Sequence, residues 1–206
     1  MTLRGTPVPP ISPPSVTTGE NGNYPRKRWT VEECRFLQNN GLLGDGRYEL
    51  IEGDIVFKMP QGFAHKTSVT LLIAALANVF GALHLRNQAD FGVGLRDPNN
   101  EPEPDVTVLQ GTARDYGRRE PLPEEVLLVC EVGASSLAGD LSVKAGIYAR
   151  QNLREYWVLD VDGRELHVFR APQNGAYISH DTLAEGDTIF PLAAPNAAIN
   201  IADLLP

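Results

Sequence analysis

Apolar residues fall along this chain in two rhythms: short runs of strand type, and longer stretches with an apolar side chain every third or fourth position. Val69, Leu72, Ile73, Leu76, Val79 and Phe80 recur at helical spacing ahead of Gly81, which predicts a helix over residues 64–80. A second helix is predicted over 139–151. Thr30 followed by Glu33 has the form of a capping box, opening a shorter helix that Gly41 closes. Residues 47–51 and 55–58 flank a glycine-bearing turn and read as a hairpin. Residues 155–161 and 164–170, joined by Asp162-Gly163, read as a clearer one. Further strands are predicted around 83–86, 91–95, 106–109 and 126–132, with weaker ones near Tyr177 and 188–190. Mixed strands with two long helices predict an α/β or α+β fold, helices packed on a central sheet.

Composition narrows the class. The 206 residues are 42% hydrophobic and 21% charged, the balance of a soluble globular domain. Six prolines among residues 1–25 predict a mobile tail, leaving 26–206 as a single folded domain. The longest helical run reads as amphipathic and too short to span a bilayer, and no signal-peptide core is seen, so a cytoplasmic protein without a membrane partner is expected. Cys34 and Cys130 fall in patterned segments and read as buried free thiols. The net charge of −8 and isoelectric point near 5.0 count against a strong nucleic-acid binder, although Arg26-Lys27-Arg28 and the Arg114, Arg118, Arg119 group are local basic candidates.

Candidate chemistry then emerges by elimination. There is no phosphate-binding G-x-x-x-x-G-K-[ST] loop and no G-x-S-x-G elbow; Gly92-Val93-Gly94 lacks a third glycine. The four histidines have no close metal-ligand spacing and the cysteines form no C-x-x-C, which argues against zinc. Carboxylates remain. Asp105 opens the run 106–109 and Glu131 ends the run 126–130; if those runs are antiparallel neighbours, the two carboxylates meet at one end of a sheet. Such a pair suits a hard divalent cation. Lys144, on the predicted helix with Tyr148 one turn later, could complete a hydrolytic site, although a solvent-facing helix lysine is the commoner case. Glu49 shares a strand face with Ile51 and is either a third acidic ligand or a partner of Lys58. His65 is either a phosphate contact or proton carrier, or an exposed first-turn residue, the commoner case. Tyr156 and Trp157 read as core.

The order of these pieces carries a resemblance. Arg47-Tyr48-Glu49-Leu50-Ile51-Glu52-Gly53-Asp54, His65, Pro104-Asp105-Val106, Glu131-Val132, Asp140-x-x-x-Lys144-x-x-x-Tyr148 and Glu155-Tyr156-Trp157-Val158-Leu159-Asp160 resemble the Uma-two family of endonucleases, of the PD-(D/E)XK superfamily, over about residues 28–190. The resemblance implies a restriction-endonuclease-like fold, a central mixed β-sheet flanked by helices. It implies that Asp105 and Glu131 bind Mg²⁺ or Mn²⁺ and that a lysine assists the attacking water. The superfamily commonly places that lysine two residues after the glutamate, where this chain has Gly133; the family places it on the next helix, where Lys144 fits. Of the family's Ser-Pro-Ser-Thr-like stretch only Ser136 is matched, within Ala134-Ser135-Ser136-Leu137. The implied activity is metal-dependent cleavage of nucleic acid, DNA in the first place, by a protein that such folds often pair into a homodimer. Two alternatives stand beside it: a nuclease-fold binding module without turnover, and a metal-dependent hydrolase of small phosphate esters.

Overall fold

The computed structural model of the chain describes residues 26–87, 94–133 and 136–206. The expected tail over 1–25 and positions 91–93 of an expected strand lie outside the described residues, and Gly94 and Leu95 are not in a strand. Two compact units are present. One runs to Met59 and takes in Asp97–Glu101; the other comprises Pro60–Arg96 and Pro102–Pro206.

In the first unit, α1 (Val31–Asn39) begins with the capping box the sequence predicts: Thr30 Oγ1 accepts the Glu33 N–H, and the Glu33 carboxylate accepts the Thr30 N–H at 3.0 Å. Strands β1 (Tyr48–Ile51) and β2 (Asp54–Phe57) pair antiparallel. Both turn residues, Glu52 at φ 50° and Gly53 at φ 77°, lie in the left-handed region, the conformation that matches a two-residue turn to the twist of its strands.

The second unit is built on a six-stranded sheet of β3 (Leu85–Asn87), β4 (Val106–Leu109), β5 (Val126–Gly133), β6 (Glu155–Asp160), β7 (Glu165–Gln173) and β8 (Ala176–Ala184), in that spatial order. Only β5 and β6 run parallel, so the sheet is mixed. A parallel pair needs a long crossover. Here the connection contains α3 (Leu137–Gly139), a π-helical turn (Asp140–Lys144) and α4 (Ala145–Arg150), together the helix predicted over 139–151. The expected strand over 83–86 is half helical turn, Ala82–His84, with the strand starting at Leu85. At the C-terminus, β9 (Thr188–Ile189) pairs with β10 (Ile199–Asn200).

Each sheet face carries its own core. On one face α2 (Phe63–Phe80) lays Val69, Leu72 and Leu76 against Val106, Leu128, Cys130 and Trp157, joined by Ile201 and Leu204. Leu72 and Leu76 are wholly buried, each contributing roughly 1.5–3 kcal/mol by leaving water. With 18 residues of mean hydropathy 1.4, α2 is long and apolar enough to cross a membrane, against the expectation that it is too short, and one side of it packs on the sheet. On the other face Tyr148 packs with Val129, Tyr156, Val158 and Phe169. Tyr156 and Trp157 are both fully buried, as expected.

Both cysteines are buried free thiols. Burial pushes the Cys130 thiol well above its usual range, with Glu155, Glu131 and Asp105 adding to it. Burial and Glu101 raise Cys34, against Arg35. Since the thiolate is the reactive form, native protein at pH 8 should react with Ellman's reagent about a hundred-fold more slowly than in denaturant. Rapid native labelling would contradict this burial.

Candidate active site

The strand register brings the two sequence-predicted carboxylates together. Val106 pairs with Cys130, so one further step places Asp105 opposite Glu131 on the same face. The contact is direct at the backbone: the Val132 N–H donates to Asp105 Oδ2 at 2.8 Å. Both carboxylates are 3% exposed. Asp105 is held further by His65, whose Nε2 lies 3.2 Å from Oδ2, and by Gln61 Nε2 at 3.5 Å from Oδ1.

Glu131 receives its partners from the crossover. Lys144 Nζ donates to Glu131 Oε1 at 3.0 Å and Tyr148 OH donates to the same oxygen at 3.1 Å. One helical turn apart on one face, they reach the same atom. Lys144 is also 3.3 Å from Asp140 Oδ1, and Ser136 Oγ donates to Asp140 Oδ2 at 2.6 Å. Below them Tyr156 OH donates to the Asp140 carbonyl at 3.0 Å, which anchors the π-helical turn to the sheet. Burial keeps that phenol neutral, far above its usual pKa, with Glu131 and Asp140 acting in the same sense. Lys144 is therefore a buried, paired ammonium and not a solvent-facing lysine.

Gly133 explains why the ammonium comes from a helix. A Cβ at that position would lie 2.7 Å from Leu137 Cδ1 and 3.3 Å from Leu137 Cα. The chain turning into α3 fills the space that a side chain two residues after Glu131 would need.

His65 departs from the exposed first-turn reading: its side chain is 11% exposed and faces Asp105. Its Nδ1 is buried without a partner among the described residues, as is Ser68 Oγ one turn on. Glu49, in the first unit, accepts from Lys58 Nζ at 3.3 Å, the cross-strand partnership considered for it.

The family model described as "Uma2: Putative restriction endonuclease" matches residues 35–202. This chain belongs to the Uma2 family. A solved structure, of a "putative nuclease belonging to DUF820" from Anabaena variabilis ATCC 29413, is similar at a TM-score of 0.60 and 17% identity, covering 85% of this chain and 96% of that one. At that identity the likeness bears on the fold: a nuclease-like α+β architecture with a mixed sheet. No curated protein matches the chain significantly.

Within this Uma2 chain, Glu131, Lys144 and Tyr148 form one hydrogen-bonded group, and Asp105 is tied beside it through the backbone N–H of Val132. Two contributors carry little signal in the sequence: Gln61 precedes α2 with no motif around it, and Asp140 stands out only as part of the family resemblance. The four-residue spacing of Asp140 and Lys144 was the available signal for the latter.

Proposed function

We propose that this protein is a metal-dependent endonuclease that hydrolyses phosphodiester bonds, DNA being the substrate, with Mg²⁺ or Mn²⁺ held by Asp105 and Glu131. The observation that carries the reading is a buried lysine and two buried carboxylates converging at one end of a sheet. The donor set fits the ion, since hard dications take oxygen ligands from one or two carboxylates and leave positions for water and phosphate. Such a cation supplies polarisation of a phosphoryl oxygen and a more acidic bound water.

The protein's own groups have distinct tasks. The Val132 N–H and His65 fix the orientation of Asp105. Tyr148 fixes Glu131 while leaving Lys144 as the ammonium nearest the reacting centre. Lys144 orients the attacking water and offsets the negative charge that grows on the phosphate oxygens. The unpartnered Nδ1 of His65 is available to hold a water or a phosphate oxygen beside Asp105.

Removal of metal tests the reading. Closed-circular plasmid should be nicked or linearised with 5 mM Mg²⁺ or Mn²⁺ (about that level) and stay intact with excess EDTA, given the reliance on an ion held by few protein ligands. Cleavage that persists in EDTA would overturn metal dependence. Hydrolysis of a chromogenic phosphodiester, with no polynucleotide cut, would reassign the substrate to small esters; no cleavage of either would favour a binding module.

A further inference from the structure

A second group of ligand-type side chains lies at the β6–β7 hairpin. Asp160, Glu165 and His167 offer ligand atoms that all lie within 4.8 Å of one another. The register places Asp160 directly opposite Glu165, with His167 two residues along β7 on the same face. Directly opposed like charges destabilise a strand pair. Asp160 is only 9% exposed, accepts the Gly163 N–H at 2.9 Å, and has no cationic partner among the described residues. The imidazole of His167, 8% exposed, turns Nε2 toward Glu165 Oε1 at 3.2 Å.

The other face of that imidazole is also arranged. His167 Nδ1 lies 3.1 Å from Thr182 Oγ1 and 3.1 Å from His180 Nε2. An Nδ1–H donated to either acceptor leaves Nε2 as a lone pair directed at two carboxylates, which is how a metal-binding histidine is usually held.

We infer that Asp160, Glu165 and His167 form a separate cation site at this hairpin, for a transition-metal dication of the zinc type. Two carboxylates with one imidazole suit a borderline ion better than Mg²⁺, which prefers an all-oxygen shell. The site is independent of the Asp105–Glu131 pair. Glu131 pairs with Val158 and Val158 with His167, so two strand spacings, roughly 9–10 Å, separate them. Two ions in one reaction centre lie about 3.5–4 Å apart. Nearby histidines in the sequence gave no hint of this site, because its ligands come from opposite sides of a turn.

The test is Zn²⁺ titration by calorimetry on tag-free protein, comparing wild type, Glu165→Gln and the double variant Asp105→Asn/Glu131→Gln. The hairpin zinc should bind wild type and the double variant with the same affinity, whether or not a second zinc occupies the Asp105–Glu131 pair of wild type, and about ten-fold or more weaker in Glu165→Gln. Melting without metal checks the fold: Glu165→Gln removes one of two opposed charges on a half-exposed side chain, so it should melt no lower than wild type. Equal zinc affinity in wild type and Glu165→Gln would overturn the inference, as would binding lost only in the double variant.

Discussion

Glu131→Gln should lower metal-dependent cleavage by about a thousand-fold or more while the protein melts within a few degrees of wild type. The amide keeps an oxygen to accept the Lys144 and Tyr148 hydrogen bonds, so packing is preserved. What it loses is the charge that the proposed dication would need. Metal-ion stabilisation of a phosphoryl transition state is worth several kcal/mol, and each ~1.4 kcal/mol is a factor of ten in rate. Lys144→Met makes the informative contrast. It too should cut cleavage, by ~10²–10³, on the scale of losing one oriented donor at a developing oxyanion. Yet both metal-ligand candidates remain, so Mn²⁺ should bind at least as well as to wild type. Without metal, this variant leaves Glu131 and Asp140 deprived of the ammonium between them, at a cost of roughly 3–5 kcal/mol that bound Mn²⁺ should partly recover. Plasmid-nicking rates, calorimetry and melting curves read the three quantities separately. Wild-type cleavage by Glu131→Gln would remove the assignment, and loss of Mn²⁺ binding in Lys144→Met would give the lysine a structural role.

Glu155→Ala should be among the most destabilising single changes in the second unit, by roughly 3–5 kcal/mol, or a melting point lower by about 10 °C. The carboxylate is 1% exposed and carries the joints of three segments. Oε1 accepts Trp157 Nε1 at 3.1 Å and Arg170 Nε at 2.9 Å; Oε2 accepts the Leu192 N–H at 2.7 Å. Arg170 in turn donates to the Phe190 carbonyl at 2.8 Å. Truncation leaves a guanidinium and two N–H groups without their acceptor, and buried donors without acceptors are costly. Glu155→Gln should recover part of the loss, because the amide still accepts. A melting point unchanged in Glu155→Ala would mean that water replaces the carboxylate at little cost.

The paired carboxylates were legible in the sequence because their position depends on one relation, antiparallel pairing of the runs 106–109 and 126–133, and strand ends are marked by a switch from apolar to charged residues. Helical spacing puts Lys144 and Tyr148 on one face, but only the family resemblance points that face at Glu131 and not at solvent. Elements whose form depends on what they pack against were harder to read. His65 is buried because the start of α2 meets Asp105, a tertiary fact with no local mark. Glu155, beside two aromatics, looks like an ordinary strand-edge acid until Arg170 pairs with it across the sheet. Strand β8 alternates in burial over 176–180 but leaves Ile178 exposed, so its apolar and polar residues do not mirror that alternation, and β10 has two residues. The cluster at Asp160 combines residues from two strands, which no scan for close histidine spacing can detect.

The crowding of Leu137 against Gly133 reaches beyond sterics. With the carboxylates at the ends of adjacent strands and the ammonium on a crossover helix, the parts of the candidate site belong to elements that can open to solvent separately. Undocking of the 136–150 segment would withdraw Lys144 and Tyr148 together while Asp105 and Glu131 stay seated in the sheet. In the proposed reaction, cation capture and turnover would then sit on two separable levers, and a ligand that grips the helix would halt the second without touching the first.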